Sequence, residues 1–102
     1  MSEIRILAPE EELERAARAE QILGDDLFKD AVRRIESALL DGIRRSAFVD
    51  ARLREKLCAR YALLQDLVAE LRGVMETGRL AEETIKQRSF MERAKQAFRE
   101  TV

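Results

Sequence analysis

Side chains able to perform acid, base or nucleophilic chemistry are scarce in this chain of 102 residues. It contains no histidine and one cysteine, Cys58. A thiol without a histidine lacks its usual activating base, so Cys58 is predicted to be a packing or half-exposed residue and not a nucleophile. A single cysteine also leaves no disulfide within these residues, which fits a reducing cytoplasm.

Carboxylates form three clusters, at Glu10–Glu14, Asp25–Asp26 and Glu82–Glu83. Each lies at a predicted helix start, where the helix dipole favours negative charge, so capping and solvation explain them better than a metal ion does. The sequence has no zinc-ligand spacing and no glycine-rich phosphate loop. We therefore predict no catalytic residue, no metal and no cofactor, and a protein that is not an enzyme.

Two groups of basic side chains could contact phosphate. The first, which we call the basic end, flanks a predicted hairpin turn and consists of Arg44, Arg45, Arg52, Arg54 and Lys56. The second, the tail patch, consists of Arg79, Lys86, Arg88, Arg93, Lys95 and Arg99. The functional interpretation is contact with DNA phosphates, and the alternative is a solvated face paired with nearby carboxylates. Residues 79–102 carry six basic and four acidic groups, a net charge of only +2, so one copy should bind DNA weakly, and several copies together would bind it better.

The composition is that of long helices, with 38% charged residues, four glycines and one proline. We predict an all-α fold in one helical domain over 1–102. After a loose arm over 1–8, a short helix over 9–23 starts at Pro9 and ends at a left-handed Gly24. The other predicted helices are 26–46, 50–77 with Asp50 as N-cap and Gly78 as its end, and a C-terminal helix over 79–100 that is mobile until it meets a partner.

The turn between the second and third helices, over 46–50, is short, which predicts a long antiparallel hairpin. Gly42, inside the second helix, either lets another backbone come close or weakens the last turn. No apolar run approaches the ~20 residues of a membrane span. Nor do the first residues have the layout of a signal peptide, so we expect a cytoplasmic protein with no membrane partner.

The third helix carries a heptad seam, typical of coiled-coil packing, at Leu57, Tyr61, Leu64, Val68, Leu71, Met75 and Gly78. Beside it lies a second apolar stripe that includes Leu53, Leu67 and Val74, with Leu63 further round. One partner helix covers one narrow stripe, so this width predicts a coiled-coil-like hairpin that also assembles into a homo-oligomer such as a ring. The predicted packing residues are Leu53, Leu57, Tyr61, Leu64, Leu67, Val68, Leu71, Val74 and Met75. The alternative is that the first and last helices close over this surface in a monomeric bundle.

Three short stretches resemble a known family when taken in order: 26–31 (DLFKDA), 54–57 (REKL) and 75–82 (METGRLAE). Together they are similar to the small terminase subunit of gene transfer agents and tailed phages. The resemblance covers roughly residues 10–85. It implies a ring built on a helical hairpin that engages double-stranded DNA and regulates or recruits a large terminase, which carries the ATPase and nuclease.

The sequence differs from many phage small terminases because it has no N-terminal helix-turn-helix segment, since its first helix is too short for one. The resemblance therefore implies DNA packaging with low sequence specificity, and contact with the large subunit through the C-terminal helix. The alternative is a helical interaction scaffold or chaperone with no nucleic-acid role. Salt-dependent DNA binding by the oligomer separates the two hypotheses.

Overall fold

The computed structural model describes residues 6–46 and 50–101. In these residues the protein is helical and contains no strand, which confirms the all-α prediction. The helices are α1 (Pro9–Gly24), α2 (Asp26–Ser46) and α3 (Ala51–Thr101). Residues 1–5 of the predicted arm and residues 47–49 of the predicted turn lie outside the described part of the chain.

Aspartates cap the second and third helices. The Asp25 carboxylate accepts a hydrogen bond from the backbone N–H of Phe28 at 2.8 Å. Asp50 does the same for the backbone N–H groups of Arg52 and Leu53, at 3.1 and 3.2 Å. These bonds satisfy N–H groups that have no partner within the first turn of a helix. Helix α3 therefore starts just after Asp50, the residue predicted as its N-cap.

The predicted left-handed cap at Gly24 is wrong. No described residue has a positive φ, and Gly24 is the last residue of α1. Instead, the N–H of Asp25 donates to the carbonyl oxygen of Ile22 at 3.2 Å, a tight turn that satisfies a terminal carbonyl. Because Asp25 already caps α2, the chain passes from one helix to the next without a left-handed residue.

The chain divides into two compact units. The first, which we call the hairpin unit, runs from Glu20 to Arg72. In it α2 lies antiparallel to the first part of α3, because Gly42 lies against Leu57 while Glu36 accepts a hydrogen bond from Gln65 at 2.7 Å. A Cβ at Gly42 would lie 2.9 Å from Cδ1 of Leu57, so this glycine permits a close approach, and α2 continues past it to Ser46.

The second unit, the terminal unit, contains the segment up to Ala19 and the segment from Gly73. Here α1 lies antiparallel to the later part of α3: Ala16 touches Gly78, and Glu10 pairs with Arg88 at 2.9 Å. The predicted helix end at Gly78 and the separate helix over 79–100 are therefore wrong, since α3 continues to Thr101. Gly78 serves a close helix contact and not a C-cap; a single glycine costs a helix about 1 kcal/mol and does not stop it.

Very little of this protein is buried. Among the described residues the buried hydrophobic ones are Ala19 and Ala81, and no large side chain is fully buried. The seven seam residues of α3 are half-buried, except Gly78, which is buried. No described helix combines the length and the apolar character that crossing a bilayer requires. The single domain over 1–102 stays a prediction.

Candidate interaction surfaces

The hairpin unit has an open apolar groove between α2 and α3. This hairpin groove, of about 630 Å³, is lined by Ile35, Leu39, Arg60, Leu63, Leu64 and Leu67. Three of its aliphatic side chains are strongly exposed: Ile35 by 50%, Leu63 by 69% and Leu67 by 51%. Burying a side chain of this size contributes about 1.5–3 kcal/mol, so the groove can supply binding free energy to whatever covers it.

The predicted packing residues fall into two classes in the structure. Seven are half-buried: Leu57, Tyr61, Leu64, Val68, Leu71, Val74 and Met75. Leu53 and Leu67 are exposed, as is Leu63. The α2 side of the groove, Ile35 and Leu39, was absent from the predicted packing residues. Their signal was present in the sequence, because both belong to the three-and-four spacing of apolar residues along α2.

Residues of the basic end lie in the last turn of α2 and the first two turns of α3, and all five are exposed. Arg44 pairs with Asp41 at 3.6 Å, a weak i,i+3 surface contact. The structure gives no ion pair to the other four, Arg45, Arg52, Arg54 and Lys56, among the residues that it describes. The Asp50 carboxylate, the acidic group nearest in sequence to Arg52, accepts two backbone hydrogen bonds. The hairpin unit therefore carries cationic groups at this end that are free to meet an anion.

The tail patch divides differently. Three of its members are paired: Arg79 with Glu76 at 2.7 Å, Lys86 with Glu82 at 3.5 Å, and Arg88 with Glu10 at 2.9 Å. Arg93, Lys95 and Arg99 have no ion pair within the described part of α3. The alternative of a solvated, paired face thus describes the first half of the patch, and the cations available to a partner lie toward the end of α3.

Glu76 and Arg79 form the best-defined ion pair of the terminal unit. Nε of Arg79 donates to both carboxylate oxygens of Glu76, at 3.1 and 3.2 Å, and Nη2 donates to Oε1 at 2.7 Å. These hydrogen bonds and the charge of Arg79 lower the pKa of Glu76. In return, the hydrogen bonds to Glu76, followed by its negative charge, raise the pKa of Arg79. Of the tail patch, Arg79 therefore makes the most hydrogen bonds to a carboxylate.

Cys58 is exposed and carries a free thiol. In the described residues no three acidic or cysteine side chains come together in a way that could hold a metal ion. The acidic clusters lie in α1, around the start of α2 and within α3, and their carboxylates are exposed except that of Glu12, which is half-buried. Glu82 and Glu83 are therefore not at a helix start, as the sequence analysis placed them, because α3 runs through them.

The last turns of α3 expose large apolar side chains. Phe90, Met91 and Phe98 are 64%, 54% and 71% exposed. Phe90 shares its side of the helix with Phe98, eight residues on. Ile85, by contrast, is half-buried.

Comparison of the chain with family models, with curated proteins and with solved structures finds no significant match.

Proposed function

We propose that the protein is a cytoplasmic, non-enzymatic adaptor that assembles into a homo-oligomer through its hairpin groove. One observation carries this proposal: among the described residues no large side chain is fully buried, whereas the groove leaves Ile35, Leu63 and Leu67 in water. A small chain with so little core gains stability by covering such a surface with another copy. A coiled-coil-like assembly of α3 hairpins is the geometry that the heptad seam favours.

The task that we propose for this assembly is DNA packaging, in the manner of a small terminase subunit. The three stretches quoted above support it through their resemblance to that family. The basic end supports it physically, because four of its five cations have no ion pair in the described structure. Repeated around an oligomer, these cations would bind double-stranded DNA through its phosphates with low sequence specificity. In this proposal the C-terminal part of α3, over 79–100, meets the large terminase ATPase and nuclease.

The first test is the mass of the protein in solution, measured by light scattering over a range of micromolar concentrations. We expect a homo-oligomer whose mass is a fixed multiple of 11.8 kDa. A monomer at every concentration contradicts the assembly and, with it, the multiplied basic end.

The second test is retention of a double-stranded DNA fragment in a gel-shift titration, with Arg52→Glu/Arg54→Glu beside the wild type. We expect the variant to bind at least tenfold more weakly. The plot of log affinity against log salt concentration should become shallower by about two units of slope, since each lost phosphate contact removes about 0.9. Acidic residues in the first turn of α3 are favourable to the helix dipole, so this change should not unfold the protein.

The matched control is Arg33→Glu/Arg34→Glu, which makes the same change in charge on the exposed surface of α2. It should reduce DNA binding much less than the first pair does. Equal losses would mean that net charge alone controls binding and would remove the basic end from the proposal. If the wild-type oligomer retains no DNA at low salt, the protein is better described as a helical scaffold or chaperone without a nucleic-acid role.

A further inference from the structure

The last four turns of α3 lie open to solvent in the described chain. Every residue from Lys86 to Thr101 is exposed, and Ile85 is the last half-buried residue of the helix. The contacts of α1 with this part of α3 include the Glu10–Arg88 ion pair near the start of α1. This segment is nevertheless helical to Thr101.

Its apolar side chains form one face. Phe90, Ala94 and Phe98 follow one another at steps of four, and Met91 lies beside them, so the four share a side of the helix. We call these four residues the distal face. Ala94 comes nine residues after Ile85, which is two and a half turns, so the distal face points away from the side of α3 that carries Ile85. It is a second apolar surface of the terminal unit, distinct from the one that α1 covers.

Cations line the distal face on both edges. On the helix, Lys95 lies along one edge, and Lys86 and Arg93 lie along the other. Between Thr84 and Thr101 the chain has five basic and two acidic residues, a net charge of +3. Of the edge residues, Lys86 pairs with Glu82, and the structure shows no ion pair for Arg93 or Lys95 in its described residues.

We propose that the distal face is a ligand helix that inserts into an apolar groove with an acidic rim on a protein partner. Phe90 and Phe98 would fill two pockets about 12 Å apart, the rise of eight helical residues, while Ala94 between them lets the partner come close. The cations on both edges would pair with carboxylates at the rim, which gives the contact its charge complementarity. The inference deepens the adaptor role proposed above and rests on it: it states the chemistry of the partner that the C-terminal part of α3 would hold.

Two other occupants fit this face less well. Binding to a bilayer surface depends on total apolar area, whereas this face offers two separate aromatic anchors with the small Ala94 between them. A second copy of the same segment would bring two net charges of +3 together, which costs free energy at moderate salt. An acidic protein groove satisfies both the spacing of the anchors and the sign of the charge.

Calcium-loaded calmodulin is a suitable probe, because it is an acidic protein whose apolar grooves accept basic amphipathic helices with bulky anchors. The full-length protein, labelled at the exposed Cys58 thiol, is titrated with calmodulin while fluorescence anisotropy is recorded. We expect saturable binding that weakens as salt is raised and disappears when EGTA removes the calcium. Phe90→Ala/Phe98→Ala should bind at least tenfold more weakly, and Arg93→Glu/Lys95→Glu should bind more weakly with a smaller salt dependence.

The control variant is Leu27→Ala/Leu80→Ala, which removes two exposed apolar side chains that lie outside both the hairpin groove and the distal face. It should bind calmodulin as the wild type does. Absence of saturable binding by the wild type, or equal binding by the Phe90/Phe98 variant, overturns the inference. The inference is also overturned if the wild-type protein binds vesicles of phosphatidylcholine and phosphatidylserine but not calmodulin. It is likewise overturned if the Phe90/Phe98 variant loses oligomer mass while the wild type shows no calmodulin binding.

The DNA gel shift and the light-scattering mass, measured on the same Phe90/Phe98 variant, keep this inference separate from the proposed function. Loss of calmodulin binding with unchanged DNA retention and mass supports the inference. A wild-type protein that binds calmodulin but retains no DNA refutes the packaging role and leaves the distal face as a protein-binding surface.

Discussion

Gly78 of α3 lies directly against Ala16 of α1. A Cβ placed on Gly78 would overlap the Cβ of Ala16 and lie 3.3 Å from the carbonyl oxygen of Glu12. The two helices of the terminal unit approach this closely because both residues at the contact are small. Ala19 and Ala81, the two buried hydrophobic residues among those described, belong to the same pair of helices.

Substitution Gly78→Ala should therefore destabilise the protein. The added methyl group meets a side chain and backbone that cannot move aside cheaply, and overpacking of this kind costs about 1–3 kcal/mol. A lower midpoint in urea unfolding at fixed protein concentration is the expected result. Circular dichroism should still report a helical protein, because alanine itself favours a helix.

The control for this substitution is Gly73→Ala in the same helix and the same unit. A Cβ at Gly73 meets nothing within 4 Å, so alanine there should stabilise the helix by about 0.5–1 kcal/mol. Opposite shifts of the two variants would establish that position 78 needs a glycine for the contact with α1. Stabilisation by both would mean that α1 does not pack against α3 at this point.

Charged residues placed in the hairpin groove should break the proposed assembly. Leu63→Glu/Leu67→Glu puts two carboxylates into an apolar contact, where an unpaired charge costs several kcal/mol. We expect light scattering to show a shift of the oligomer toward monomer at the same concentration.

Ala62→Glu/Ala69→Glu is the matched control, since it adds the same charge at two exposed residues of α3 that do not line the groove. Its mass should equal that of the wild type. If both variants keep the wild-type mass, the hairpin groove is not the surface through which copies meet.

Removing the cap of α3 should cost a measurable part of the stability. Asp50→Ala deletes the acceptor of two backbone hydrogen bonds, from Arg52 and Leu53, and a lost N-cap costs about 1 kcal/mol. Urea unfolding at fixed concentration measures the loss, and Asp50→Ser should recover most of it. An unchanged midpoint in Asp50→Ala would mean that water replaces the carboxylate without cost.

The pairing of Glu76 with Arg79 should be visible in a pH titration. The hydrogen bonds and charge of Arg79 lower the pKa of Glu76, so the pairing is complete above the ordinary pKa range of a glutamate and is lost as pH falls through the lowered value. Carboxyl carbon NMR should show Glu76 titrating below its ordinary range, and Arg79→Gln should move its pKa upward. A Glu76 pKa that does not respond to Arg79→Gln contradicts the pair.

The parts of the fold that depend on neighbouring residues were accessible from the sequence. Helix α2 has the predicted bounds, and Asp50 caps α3 as predicted, because a cap is set by residues two and three positions away. The heptad seam also identified residues of α3 that the structure buries at least in part. Local spacing is sufficient for such features.

Glycines separate what the sequence could predict from what it could not. The same residue type ends a helix or permits a close contact, and the difference at Gly78 is made by Ala16, which lies 62 positions earlier in the chain. Gly24 does end α1, but without a left-handed conformation. The next residue, Asp25, already caps α2, so the chain passes into that helix directly. The hairpin groove forms only where α2 and α3 meet. Its α3 residues were predicted from the second apolar stripe, whereas Ile35 and Leu39 of α2 were not among the predicted packing residues.

The scarcity of buried side chains has a consequence for how long a newly made copy survives. Among the described residues, two buried alanines supply little of the apolar burial that protects a folded chain from proteases. If copies assemble as proposed, a copy without a partner would be open for more of the time and would be degraded sooner. The cellular concentration of this protein would then rise more than proportionally with its rate of synthesis. The reason is that each additional copy would protect others from degradation.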